Sequence, residues 1–402
     1  MSIVFLSPTG QTGGAEAALH DLLAGLRESH PSWSLRLIVA SDGPLVARVK
    51  ALGVPVDVLP FPVSLARLGD WGLGHGVWRR LAFVGRCAGT AFQALWYVRR
   101  LRGLLRTASP QVIHTNGLKM HVLGAWARPR ASAVLWHLHD YAGRRPLAAR
   151  LLTRSAHHCS AIVANSNSVA DDVRRLCGDA IAIYPVWNAV DLTRFSPDGP
   201  RADLDALAGL APVEGALRIG LVATFARWKG HKTFLEAVAM LPPSLSIRAY
   251  IIGGPVYETS GSQVSIEELR AHVSALGLES RVAFTGFVQD TASAMRALDI
   301  VVHASTDPEP FGLVIAEAMA CGKAVVASRA GGAVELTAPG VNSLAHAPGD
   351  ARALARCIAD LAGNPELRER LGRAALVTAR QRYTRTRMAG QLTAIYESLL
   401  TA

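Results

Sequence analysis

Apolar and polar positions alternate between two periods along this chain. A four-residue apolar run, Ile3 to Leu6, is followed by a loop holding Gly10, Gly13 and Gly14. Apolar residues then recur at Ala18, Leu19, Leu22, Leu23 and Leu26, the spacing of one helix face, which predicts a helix over 15–26. Further strand-like runs are predicted at 34–40, 54–59, 112–114, 134–137 and 161–164, separated by helical stretches. The pattern restarts with strands at 217–223, 247–252, 282–285, 300–303 and 324–327. Such alternation predicts α/β architecture: two Rossmann-like domains, each a parallel sheet covered on both faces.

A chain of 402 residues exceeds what one core usually supports, so two domains of roughly 190 residues with a cleft between them are expected. FSPDGPRADLDALAGLAPVEGA, residues 195–216, is rich in Pro, Gly and Asp and reads as a surface linker. The boundaries follow as 1–190, 191–385 and a closing helix, 386–402, expected to pack back towards the first domain.

Charge then separates the halves. Residues 1–200 hold 22 Lys and Arg against 12 Asp and Glu, and the rest hold 20 against 19, so the net +11 lies almost wholly in the first half. A basic half suits an anionic membrane face, an anionic acceptor or nucleic acid, or reflects arginine-rich composition. No nucleic-acid recognition motif accompanies it, so no nucleic-acid partner is expected. The excess concentrates in 66–106, with eight arginines, one acid (Asp70) and the aromatics Trp71, Trp78, Phe83, Phe92, Trp96 and Tyr97. Interleaved Arg and Trp suit an interfacial helix at an anionic membrane surface. A helix hairpin packed on the sheet with a solvated Arg face suits them equally.

Five dispersed cysteines (Cys87, Cys159, Cys177, Cys321, Cys357) form no C-x-x-C pair, which argues against structural zinc or a disulfide framework. The first residues lack a basic segment and a signal-peptide core, and the apolar-rich run 87–98 falls short of the ~20 residues that span a bilayer. A cytoplasmic protein is expected, with peripheral attachment to the membrane face left open.

The chemistry concentrates in HASTDPEPFGLVIAEAMACGKAVVAS, residues 303–328. A strand ends at His303, two prolines flank Glu309, and a helix is predicted from Phe311 or Gly312 to Gly322. Unpaired N–H groups at a helix N-terminus bind phosphate, and Gly312 lets a diphosphate come close to the backbone. Glu317 lies about 7.5 Å further along the axis. A ligand with its diphosphate at that terminus would present a ribose diol to Glu317 and a sugar hydroxyl to Glu309, which suits a nucleotide sugar. Taken singly, Glu309 would also suit a helix dipole and Glu317 an exposed helix position.

Glu309 and Glu317 stand in the Glu, seven residues, Glu form within E-P-F-G-L-x-x-x-E-A-M-A-C-G, and here the chain resembles family-4 retaining glycosyltransferases of the two-domain GT-B architecture. The resemblance extends through GGAE (13–16), HLHD (137–140), ANS (164–166), WNAVDLTRFSP (187–197), RWKG (227–230), FTGFV (284–288) and AGGAVE (330–335), in the family's order. It implies Lys229 as a cation on the donor diphosphate, Glu317 as the ribose ligand and Glu309 on the sugar hydroxyls. Phe311, Gly312, Leu313 and Val314 would form the helix start around phosphate and sugar, and Gly286 and Phe287 would neighbour the base. Gly13 and Gly14 would face donor phosphates or acceptor, and His139 the transferred sugar. The family usually has an Arg five residues before that lysine, where this chain has Thr224; Arg227 is the available substitute.

The resemblance implies a retaining transfer of a hexose-type sugar from a nucleotide diphosphate sugar to a glycan, lipid-linked or small-molecule acceptor. Cations and backbone N–H groups would stabilise the charge left on the diphosphate, so no metal or other cofactor is expected. The D-x-D match, Asp203 to Asp205, falls in the linker, an improbable metal ligand set. Alternatives are a nucleotide-sugar epimerase on the same fold and a non-catalytic sugar-nucleotide-binding protein. A dehydrogenase is disfavoured because the first loop lacks G-x-G-x-x-G.

Overall fold

The computed structural model describes residues 1–66, 77–255 and 263–401, apart from the side chains of Ser64, residues 77–90 and Ala148. Asp70 and Trp71 of the arginine-rich segment, and the side chains of Trp78 and Phe83, lie outside the described residues. The chain divides into two compact units: Met1–Ala189 with Arg385–Ala402, and Val190–Thr384.

The first unit carries β1 (Ser2–Ser7), β2 (Ser34–Val39), β3 (Val56–Val58), β4 (Val112–Asn116), β5 (Ala133–Leu138), β6 (Ala161–Ala164) and β7 (Ile183–Pro185). They pair in parallel in the order β3-β2-β1-β4-β5-β6-β7. The period-2 alternation sorts β1: Ile3 and Phe5 pack on one face with Leu19, Leu22 and Leu23, and Val4 and Leu6 on the other with Leu101 and Leu105. The helix Arg385–Thr401 belongs to this unit and buries Met388, Leu392 and Tyr396 on the face that carries Ile3 and Phe5. Arg385 anchors its start by donating from Nε (3.0 Å) and Nη2 (2.6 Å) to Asp21 Oδ1.

The second unit carries β8 (Leu217–Val222), β9 (Ile247–Ile252), β10 (Val282–Gly286), β11 (Ile300–His303), β12 (Ala324–Ser328) and β13 (Leu344–His346). Their order, β10-β9-β8-β11-β12-β13, repeats the arrangement of the first sheet, and every pairing is again parallel. Strand order therefore reverses at β1/β4 and at β8/β11, the switch points at which open α/β sheets bind ligands beyond their carboxyl ends.

Two sequence expectations change. Part of 66–106 folds as the helix Val77–Ala108, and Tyr97, expected among its interfacial aromatics, is instead buried, donating its hydroxyl to Leu59 O at 3.2 Å. The stretch 195–216 is no loose linker. Asp203 caps the short helix Leu204–Leu207, and buried Asp205 accepts from Arg248 Nη1 at 2.9 Å and from the Tyr250 hydroxyl at 2.8 Å. A carboxylate buried against a guanidinium and a phenol ties this stretch to the sheet, which composition alone does not reveal.

Candidate functional site

In the second unit, the loops after β8 and β11 converge at the switch point. β8 leads to a 3-10 turn, Arg227–Lys229, closed by Gly230 at φ 74°. A Cβ on Gly230 would lie 1.9 Å from Ala304 O, so only glycine allows the two loops to touch there. Thr306 N donates to Trp228 O at 2.8 Å and fastens the loops together. Lys229 Nζ, 3.9 Å from the centre of the Trp228 ring, thereby reaches Glu309, at 2.8 Å from Oε2 and 3.1 Å from Oε1.

Glu309 is buried, and two partners that the sequence reading missed hold it. His303 Nε2 lies 3.1 Å from Oε2, and Ser305 Oγ donates to the same oxygen at 2.9 Å. Burial by itself would raise the Glu309 pKa, but Lys229 and the His303 hydrogen bond outweigh it and hold the carboxyl well below its ordinary range. The available signal was the H-x-S-x-x-x-E spacing: His303 ends β11 facing inward, and the loop turns Glu309 back over it. The AGG motif holds the other side, because Glu309 N donates to Ala330 O at 3.3 Å and Gly332 N to Glu309 O at 2.6 Å. A Cβ on Gly332 would sit 2.2 Å from Pro310 O, which explains glycine at that position.

Gly312, at φ 99°, caps the helix Leu313–Ala320, whose first turn includes Leu313 and Val314. First-turn N–H groups lack intrahelical acceptors, so this terminus beside Lys229 and Glu309 has the local chemistry of an anion site. The Phe311 side chain is buried against Tyr383, with ring centres 6.0 Å apart, so its backbone alone is left for a ligand. Glu317 is half-buried further along the helix. Gly286, at φ 71°, ends edge strand β10, and Phe287 beside it is 64% exposed. Arg227 turns to Glu268, donating from Nη1 and Nη2 at 2.9 Å each, and hydrogen bonds from Arg227 and Lys232 pull the Glu268 pKa down to about 2.

In the first unit, Gly13 and Gly14 open the helix Gly14–Ser29 after β1. His139 follows β5, with Nε2 3.0 Å from Asn116 Oδ1, and burial lowers its pKa to about 4. Among the described residues, no group of three or more His, Cys, Asp or Glu side chains is placed to hold a metal ion.

Two family descriptions match side by side: Glycosyltransferase Family 4 over residues 12–194, and Glycosyl transferases group 1 over residues 208–377. The lipopolysaccharide core biosynthesis glycosyltransferase LpsE of Rhizobium meliloti is 33% identical over 63% of this chain and 68% of its own. The chain belongs to glycosyltransferase family 4. A second relative, the lipopolysaccharide core biosynthesis mannosyltransferase LpcC of Rhizobium leguminosarum, is 34% identical over 54% of this chain, and the match spans 59% of that relative's length. Among solved structures, Anabaena HepE with UDP and glucose superposes with a TM-score of 0.80 at 28% identity, over 99% of this chain and 100% of that one. The fold is that of the GT-B glycosyltransferases.

Proposed function

We propose that this protein transfers a hexose-type sugar, with retention of anomeric configuration and without a metal ion, from a nucleotide diphosphate sugar to a glycan or lipid-linked acceptor. The Lys229–Glu309 pair beside the Gly312 helix start carries the reading. A diphosphate at that terminus competes with Glu309 for Lys229, which frees carboxylate oxygens to accept sugar hydroxyls. When the anomeric C–O bond breaks, its electron pair leaves with the diphosphate, where Lys229 and first-turn N–H groups stabilise the new charge. Glu317 then takes the ribose, Gly286 and Phe287 the base, and His139 orients the sugar. HepE, solved with UDP and with UDP-glucose, favours UDP-glucose as a first donor to test; LpcC, a mannosyltransferase, favours a mannose donor, for which GDP-mannose serves as the probe.

The test is a thermal-shift and hydrolysis screen of UDP-, GDP-, ADP- and TDP-sugars, repeated in EDTA. Free donor at 100 times its Kd raises stability by about 2.7 kcal/mol. One class should stabilise the protein and turn over equally with chelator. Absence of any shift, or activity that returns only with Mg²⁺ or Mn²⁺, overturns the reading.

The first unit favours an acceptor at an anionic membrane surface. On the helix Val77–Ala108, Phe92 is 72% and Trp96 44% exposed; with Pro60, Phe61 and Pro62 they line a surface pocket of about 370 Å³. Arg100 lies 5.2 Å over the Trp96 ring, and Arg99 beside it is exposed. Each cation near an anionic leaflet contributes about 1 kcal/mol. Binding to anionic vesicles should fall with salt and fall again in Arg99→Gln/Arg100→Gln. Equal retention on neutral vesicles, or none on either, points to a soluble acceptor.

A further inference from the structure

Behind His139 lies a line of buried polar groups that the proposed transfer does not use. The Tyr396 hydroxyl, on the helix Arg385–Thr401, is 2.7 Å from His114 Nδ1. His114 Nε2 is 3.1 Å from His137 Nδ1, and the His137 ring lies against that of His139, with centres 4.1 Å apart. Tyr396, His114 and His137 are fully buried. Burial, reinforced by neighbouring histidines, lowers the pKa of His114 and His137 well below the ordinary value, so both imidazoles are neutral and carry one proton each.

Two proton arrangements fit this line. In one, the Tyr396 O–H donates to His114 Nδ1, His114 Nε2–H donates to His137 Nδ1, and the remaining N–H stands at His137 Nε2. In the other, every bond runs backwards, which leaves the phenol O–H without an acceptor in the apolar core beside Met388 and Leu392, and the His137 Nε2 lone pair unmatched as well. A buried donor without an acceptor is costly, and the first arrangement moves that unmet donor along the line to His137 Nε2, near the carboxyl end of β5 and beside His139. There it has company. His139 gives its Nε2–H to Asn116 Oδ1, so its shielded Nδ1 is a bare lone pair, and Asn116 Nδ2 has no partner. Unmet donors and an unmet acceptor on adjacent side chains match a hydroxyl group, which accepts one hydrogen bond and gives another.

We propose that Tyr396, acting through His114, is a positioning residue that fixes His137 with its proton on Nε2, so that His137 Nε2–H and His139 Nδ1 together read one hydroxyl of the sugar substrate. This rests on the proposed sugar transfer for the identity of the ligand, while the relay stands on geometry alone.

Long-range ¹H–¹⁵N spectra of the histidine-labelled full chain at pH 7.5 report each tautomer directly. The expected result is His137 protonated on Nε2 in the wild type and a mixture of both tautomers in Tyr396→Phe, which keeps the ring and loses the hydroxyl. His137 protonated on Nδ1, or a tautomer unmoved by Tyr396→Phe, overturns the relay. For the ligand, UDP-glucose and GDP-mannose are added as probes, and whichever raises the melting temperature should shift the His137 Nε2 and His139 Nδ1 signals. His137→Gln, which restores an N–H in that place, should keep hydrolysis of that probe within a few-fold, and His137→Phe should lower it roughly tenfold, the order of one lost hydrogen bond. Binding of a probe without a histidine response, or equal rates in the two variants, overturns the hydroxyl contact. Failure of both probes to bind counts against the donor reading, and the tautomer spectra still decide the relay.

Discussion

Around the carboxyl ends of β4 and β5 the first unit buries His114, His121 and His137, with half-buried His139 beside them; at the corresponding switch point of the second sheet, β8/β11, half-buried Lys229 meets buried Glu309. The two sheets have corresponding strand orders, so topology does not set the difference. Counter-charge does. Glu309 stays ionised because Lys229 and His303 outweigh its burial, whereas burial keeps His121 and His139 neutral, and the neighbouring His139 lowers the His121 pKa further. One edge is built of hydrogen-bond directions and the other of charge, as the proposed reading of a hydroxyl and the proposed holding of a diphosphate respectively require.

Acid should separate the two edges most widely. The pKa of His121 is lowered to about 3 and that of His139 to about 4. For a histidine lowered on folding, the stabilisation is full above the unfolded value, near 6.5, and is lost as pH falls towards the folded value. Each such histidine removes about 1.4 kcal/mol per pH unit over that range. The Glu309 carboxyl is lowered too, but its contribution is full above the ordinary carboxylate value, near 4.5, and is lost only as pH falls below it. Amide exchange followed from pH 7 to pH 4 should therefore show protection lost first in β4 and β5 and later in β8 and β11. Simultaneous loss would erase the contrast.

Next in size, Lys229→Ala should lower donor turnover about a hundred- to a thousandfold, the cost of one preorganised electrostatic contact. It should also reduce the melting temperature, because it strands a buried carboxylate. Near-wild-type turnover would remove charge from the function of this edge. Asp205→Asn sharpens the point from the opposite side: its partners Arg248 and Tyr250 lie in the second unit's core. The substitution should cost about 1.5 to 3 kcal/mol in denaturant melts while the Kd for donor stays unchanged. A changed Kd would mean that the two ion clusters act as one.

The smallest effect is expected at Arg227. Its guanidinium pairs with Glu268 at the surface, where solvent screens the pair and leaves it little net stabilisation. Arg227→Ala should leave melting and turnover within about twofold of wild type. A hundredfold fall in turnover would return Arg227 to the diphosphate, in the role vacated at Thr224.

The alternation of periods located the long strands and both sheets, since buried parallel strands are continuous apolar runs, as Ala161–Ala164 is. β7 and β13, three residues each, went unseen, whereas the equally short β3 lies within the longer apolar-rich run 54–59. The Glu309 loop was legible as a glutamate before a helix start. Its resting partners went unread, although His303 and Ser305 stand at a fixed spacing before Glu309 and meet it through the chain reversal between them. Asp205 looked like linker because the buried arginine that claims it lies 43 residues away. The contact between Tyr396 and His114 spans 282 residues and leaves no local trace.

That long span also bears on how the chain is made. Helix Arg385–Thr401 covers the face on which Ile3, Phe5 and Leu19 pack, yet it leaves the ribosome after all of the second unit. Synthesis usually lets an N-terminal domain fold first, but here the second unit is complete while the first still lacks a wall. For the time taken to translate the intervening residues, a hydrophobic surface that began at the third residue waits uncovered, a natural target for a chaperone. A fragment stopping at Ala189 would be left in that condition permanently.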